Sequence, residues 1–213
     1  MDPDTWLSSS SCVIPAAQPE RERWRNDRGW TREILRLPGR DADWALRLSL
    51  AEIEAAAAFS RFPGVQRELV LLQGNGVVLR QASGLQDEVL PPHGRARFDG
   101  AVALEGVPVD GPCHVFNLMW HPDKVRATLL HRPLVGTMYF ACTASTGWAI
   151  HLIGGQARFG SSSALSSLQA GDTAWLGASP GGCGHVLQGG GELLAVRVDA
   201  GPTQQAALNT TVQ

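Results

Sequence analysis

Trp44-Ala-Leu-Arg-Leu-Ser-Leu-Ala51 decides the class of fold. Trp44, Leu46, Leu48 and Leu50 alternate with Ala45, Arg47, Ser49 and Ala51, the period of two expected of a strand that buries one face. The next stretch, Glu52-Ile-Glu-Ala-Ala-Ala-Ala58, has high helix propensity. Phe59-Ser-Arg-Phe-Pro-Gly64 then reads as a turn, which leaves too few residues for a helix without tertiary support. The segment therefore predicts a strand running into a turn, with no helix over 48–58. Further strands are expected at 68–73, 76–81, 95–98, 101–105, 114–119, 134–142, 148–153, 172–176 and 193–198. Gly 24 and Pro 13 suit many short strands joined by turns.

At 213 residues the chain holds one large β domain or two small units, and is long enough to bury a real core. Eighteen Lys and Arg against 20 Asp and Glu give a formal charge of -2, and only 18% of residues are charged, so no face can carry a long basic stripe. Nucleic acid and membrane are therefore not expected as partners. No apolar run reaches the length of a spanning helix, and the first twenty residues lack the basic start and apolar stretch of a signal peptide. Cys12, Cys113, Cys142 and Cys183 form no CxxC pair, which fits a reducing, cytoplasmic compartment.

Two stretches repeat at nearly one offset. Leu71-Leu-Gln-Gly-Asn-Gly-Val-Val-Leu79 falls over His151-Leu-Ile-Gly-Gly-Gln-Ala-Arg-Phe159, with Gly74 over Gly154. Leu90-Pro-Pro-His-Gly-Arg-Ala-Arg-Phe98 falls over Leu168-Gln-Ala-Gly-Asp-Thr-Ala-Trp-Leu176. Together they predict a duplicated β unit. The second copy's Gly171-Asp172 turn resembles a cupin step, and Pro180-Gly-Gly-Cys-Gly-His185 matches the core of the second cupin motif. Gly189 stands where that motif has asparagine, and the first motif has no counterpart, because the six histidines never fall at a spacing of two. His185 and His151 come nearest to a metal site, but without further ligands neither zinc nor a facial-triad iron is expected. Cys183 has no arguable oriented base, and no HExxH or P-loop pattern is present.

Several blocks in order resemble the HutD/Ves family: Trp24-Arg-Asn-Asp-Arg-Gly-Trp-Thr-Arg-Glu33, Trp44 to Glu52, Phe59-Ser-Arg-Phe-Pro-Gly-Val-Gln-Arg67, Leu71-Leu-Gln-Gly74, Phe98-Asp-Gly100, Leu104-Glu-Gly106 and Phe116-Asn-Leu-Met119. The family usually has Asn-Gly-Gly where this chain has Asn26-Asp27-Arg28-Gly29. The resemblance implies an all-β protein of two fused cupin-like (RmlC-like) β-barrels, a bicupin with little helix and no catalytic metal centre. Its expected parts are a flexible leader over 1–19, barrels over 20–133 and 134–200, and a flexible tail over 201–213.

The resemblance also implies a regulator, or governor, of histidine utilisation that binds a carboxylate metabolite such as urocanate or formylglutamate. The protein would act by occupancy, with no cofactor, and a second copy of the chain is the candidate protein partner. Arg47 and Ser49 lie on the polar side of their strand, and Asn117 interrupts an apolar one, so each is a candidate pocket residue. Within the family blocks, Asn26, Thr31, Phe59, Ser60, Arg67 and Met119 complete the ligand-binding set. Arg47 and Arg67 both remain candidate anion anchors, since a guanidinium fork fits a carboxylate. The rival reading is a cupin enzyme, a metal-dependent dioxygenase or metal-free isomerase using His185, and a third is a partner-binding scaffold without a ligand.

Overall fold

The computed structural model describes residues 6–38, 44–161 and 163–202. They are almost entirely β, with a single 3-10 turn at Trp6–Ser8 and no helix over 48–58. None contains a helix long and apolar enough to cross a membrane.

In chain order the strands begin with β1 (Cys12–Ile14), β2 (Arg21–Arg23), β3 (Gly29–Leu37), β4 (Leu46–Ile53), β5 (Ala57–Ala58) and β6 (Gln66–Gln73). Next come β7 (Val77–Gln81), β8 (Gln86–Val89), β9 (Arg95–Asp99), β10 (Leu104–Pro108) and β11 (Cys113–Trp120). The last five are β12 (Val125–Cys142), β13 (Thr146–Phe159), β14 (Leu168–Gln169), β15 (Thr173–Leu176) and β16 (Cys183–Ala200).

The chain divides into two compact units, Pro19–Pro122 and Met1–Gln18 with Asp123–Gln213. The boundary thus precedes the expected one at residue 133, because β12 starts at Val125 and pairs with β16 along its whole length. The leader is also corrected. Cys12–Ile14 pairs with β15, Ser9 Oγ accepts from the Trp175 indole at 2.8 Å, and Ser11 Oγ accepts from the Gly177 amide at 3.0 Å. Its serines are edge-strand partners, and Leu7 beside them is buried. Of the expected tail, 203–213 lie outside the described residues.

The first unit has a six-stranded sheet in the order β2-β3-β4-β11-β6-β9 and a four-stranded sheet in the order β5-β10-β7-β8. The second unit runs β1-β15-β13-β16-β12, with β14 on β13. The series β4-β11-β6-β9 therefore corresponds to β12-β16-β13-β15, as a duplicated unit requires. The aligned Gly74 and Gly154 each sit where a ladder passes a junction: Gly74 between β6 and β7, Gly154 at the register shift in β13. The pairings described leave these sheets open, so closed barrels are not what the hydrogen bonding alone forms.

The sequence punctuation misled at the long strands. The strands expected at 134–142, 148–153 and 193–198 are parts of continuous strands of 18, 14 and 18 residues that run through Gly136, Gly155 and Gly191, at φ of 81°, 86° and 142°. There they bend the strands without ending them. The strand expected at 101–105 begins only at Leu104, after a turn, and β3 was missed because its charged text was read as a motif.

A Cβ on Gly155 would lie 2.0 Å from the Gly190 carbonyl oxygen, whereas one on Gly154 would meet open space. Gly155→Ala is expected to lower the unfolding midpoint by roughly 3 to 10 °C, from backbone strain of about 1–3 kcal/mol. Gly154→Ala should stay within about 2 °C of the parent. Equal midpoints for the two variants in a thermal melt would contradict a bend imposed at Gly155.

Candidate functional site

One face of the first unit's large sheet is polar at one end and apolar at the other. Register places Arg47, Met119 and Arg67 in one row, Ser49, Asn117 and Leu69 in the next, and Ala51, Val115 and Leu71 in a third. The period of two puts these rows on the same side. Deeper on that side, Ile53, Leu69, Leu71, Val77, Leu79 and Val115 pack with other apolar residues into a core. The opposite positions Leu46, Leu48, Phe116 and Leu118 are buried too. The strands are thus covered on both faces, although alternation in the sequence suggested one.

Above the polar rows lies a cavity of about 540 Å³, and Asn26, Thr31, Arg47, Ser49, Phe59, Ser60, Arg67, Asn117 and Met119 all line it. Sequence reasoning had marked every one of these. It had not selected Trp24, Phe62 or Arg23, which also line it. The Trp24 indole donates to Thr31 Oγ1 at 2.7 Å and meets Phe59 edge-on at 6.3 Å. Their signal was present in the sequence, since both Trp24 and Phe62 lie inside the family blocks. At the rim, Asn26 Oδ1 accepts from the Arg28 amide at 3.2 Å, with Asp27 at φ 55° between them. That bond holds the departure from the family pattern as a tight turn.

The two candidate anchors differ in charge balance. Arg47 Nε donates to Glu33 Oε2 at 2.6 Å, and Arg36 donates to both oxygens of the same carboxylate. Burial alone would raise the Glu33 carboxyl, but the hydrogen bonds and charges of the two arginines outweigh it and hold the group below the usual carboxylate range. Glu33 stands in β3, so nothing in the expected strand pattern brought it to Arg47.

Arg67 is only 7% exposed and forms no ion pair among the described residues. Its Nη1 donates to the Ser60 carbonyl at 3.2 Å and its Nη2 to Asn117 Oδ1 at 3.3 Å. Nε is buried without a hydrogen-bond partner. Phe98, Phe59 and Phe62 surround the guanidinium, with centroids 5.0, 5.5 and 5.8 Å from Cζ. Burial first, and the charge of Arg47 second, pull its pKa down to about 10, so it remains a cation at neutral pH. Asn117 Nδ2 donates on to Ser49 Oγ at 3.4 Å, which fixes the amide's orientation. Ser60 thus serves Arg67 through its backbone carbonyl, where the sequence had suggested its side chain.

Close packing holds the aromatic wall. A Cβ on Gly106 would sit 2.5 Å from Phe59 Cζ, so only glycine lets that ring lie against β10. No group of three His, Cys, Asp or Glu ligand atoms converges on this cavity among the described residues. His151, considered with His185 at the sequence level, is a buried core residue: its Nδ1 lies 2.9 Å from Thr173 Oγ1. Burial, partly opposed by Asp172, pulls that imidazole down to about 4, so it is neutral.

The HutD family's sequence profile matches residues 16–195. The chain belongs to the HutD family. It is 36% identical over 118 residues to an uncharacterised 21.2 kDa protein in the hutC 3' region of Pseudomonas putida, a match over 55% of this chain and 62% of that protein. The chain therefore matches less than two thirds of that relative's length. It is 30% identical over 138 residues to protein Ves of Citrobacter koseri, covering 64% of this chain and 70% of that one. Among solved structures, HutD from Pseudomonas fluorescens SBW25, in a formate condition, superposes with a TM-score of 0.77 at 24% identity, over 90% of this chain and 99% of the other. The Escherichia coli pirin YhhW, in complex with nickel(II), gives 0.66 at 10% identity over 90% and 100%. These likenesses establish a cupin-like all-β fold.

A buried cation without a counter-charge costs stability. Arg67→Met should accordingly leave the unfolding midpoint of the ligand-free protein unchanged or raise it. A fall of more than about 3 °C in a thermal melt would mean that the three rings and two neutral acceptors already repay its burial.

Proposed function

We propose that this chain is a binding protein whose cavity in the first unit takes, without a metal at that cavity, a small carboxylate-bearing metabolite of the urocanate or formylglutamate type, and that it governs histidine utilisation by occupancy. The observation that carries this reading is Arg67, a buried guanidinium with an unpartnered Nε and, among the described residues, no carboxylate against it. A ligand carboxylate supplies the missing charge beside a guanidinium that is already buried. Asn117 and Ser49 form the polar wall beside it, while Met119, Leu69 and Phe59 offer an apolar wall for the rest of the molecule. Arg47, ion-paired with a Glu33 that it shares with Arg36, contributes to the field at the mouth without acting as the anchor. The hutC 3' region named for the Pseudomonas putida relative supports a link to histidine metabolism.

The shared strand order of the two units further supports a bicupin of two RmlC-type barrels. In that arrangement the second unit repeats the frame without the polar rows, since Ala127, Leu129, Val196 and Val198 occupy the Val125 end of its β12–β16 ladder.

Calorimetry with urocanate, formylglutamate and formate tests the proposal. Arg67→Met should weaken binding by roughly 10- to 150-fold, the worth of the charge-assisted bonds lost. Arg47→Met should change it by less than about 5-fold. Wild-type affinity in Arg67→Met, or no binding of any small carboxylate by the parent, would overturn the assignment, and turnover of a bound compound would favour the cupin-enzyme reading instead.

A further inference from the structure

The second unit carries a group of soft ligand atoms that the cavity does not use. Cys142 and Cys183 stand directly opposite each other on the paired strands β12 and β16, at the end of that ladder. Opposed residues of an antiparallel pair project from the same face. His185, two residues along β16, projects from that face as well. Cys183 Sγ lies 3.6 Å from His185 Nε2, and both sulfurs and the nitrogen fall within 4.8 Å of one another. All four cysteines are free thiols.

We propose that Cys142, Cys183 and His185 form a binding site for a thiophilic divalent cation of the Zn(II) type, with three protein ligands and one coordination position open to solvent. Two sulfurs and an imidazole nitrogen match the ligand preference of Zn(II), and three protein ligands leave its tetrahedron one vacancy. Bonds of about 2.3 Å to sulfur and 2.0–2.1 Å to nitrogen require only a small contraction of the group. Burial is graded in the same sense: Cys142 is buried at the sheet face, His185 is half-buried, and Cys183 is exposed. A cation entering from solvent therefore meets Cys183 first, and the open position faces outward.

The rings of Phe159 and His185 meet edge-on at 6.3 Å, which limits the imidazole's freedom to turn away. The alternative chemistry of two opposed thiols is a disulfide. His185 Nε2 turned toward the Cys183 sulfur favours the cation, because a disulfide has no use for a third donor. The site is remote in sequence from every residue lining the cavity, and its sequence signal was weak because Cys142 and Cys183 meet only through the hairpin-like pairing of β12 with β16.

The test uses the full chain, reduced and freed of metal, titrated with Co(II) and then with Zn(II). Expected are one Co(II) per chain, a near-ultraviolet thiolate-to-cobalt charge-transfer band with visible bands of tetrahedral intensity, and displacement by one equivalent of Zn(II). Cys183→Ser should abolish the charge-transfer band or reduce it by half. His185→Gln should weaken Zn(II) binding by more than about 10-fold. Neither variant should alter the far-ultraviolet circular dichroism. A parent that binds no Co(II) overturns the proposal. So does unaltered binding in both variants, or a Cys142–Cys183 disulfide, seen as a 2 Da mass loss, that forms under air in the presence of one equivalent of Zn(II).

Discussion

A guanidinium held among three phenylalanine rings, with no acid to balance it among the described residues, is the constraint on which the first unit depends. Arg67 is placed by β6, restrained by the Ser60 carbonyl and the Asn117 amide, and walled by Phe59, Phe62 and Phe98. Cation–π contacts of about 0.5–2 kcal/mol each and two neutral hydrogen bonds offset part of the desolvation of such a group. They do not satisfy Nε. The rest of the architecture can be understood as what keeps this charge dry and aimed: the polar rows of β4, β6 and β11 on one side, and Gly106 admitting the Phe59 ring on the other.

Glu33 decides which arginine is available. Arg47 and Arg67 lie in the same row, separated by Met119, and their like charges oppose each other. Because Arg47 and Arg36 share Glu33, Arg47 has an acid against it, whereas Arg67 has none among the described residues. On the proposed reading, a carboxylate entering the cavity is anchored by the guanidinium that has no acid against it among the described residues.

Much of this was legible in the sequence, and the parts that were not have physical causes. The alternation from Trp44 to Ala51 gave the strand and the side on which Arg47 and Ser49 stand, and the family blocks brought Phe59, Ser60, Arg67, Asn117 and Met119 to the same cavity. Strand register with β3 was not readable, because a bulge between Glu33 and Leu35 interrupts its alternation, and so the partner of Arg47 stayed hidden. Glycines that bend a continuous ladder cannot be told from glycines that end one without knowing the pairing, which is why β12, β13 and β16 looked like shorter pieces. The serines near the N-terminus read as a loose leader because their partners, Trp175 and Gly177, lie far along the chain.

The most direct measurement of the central claim is the nitrogen-15 NMR signal of the Arg67 Nε–H group during titration with a small carboxylate. The account predicts a resonance that shifts on saturation, as a negative charge arrives beside the guanidinium. Saturable binding of the carboxylate with the Arg67 Nε–H resonance unmoved would contradict it.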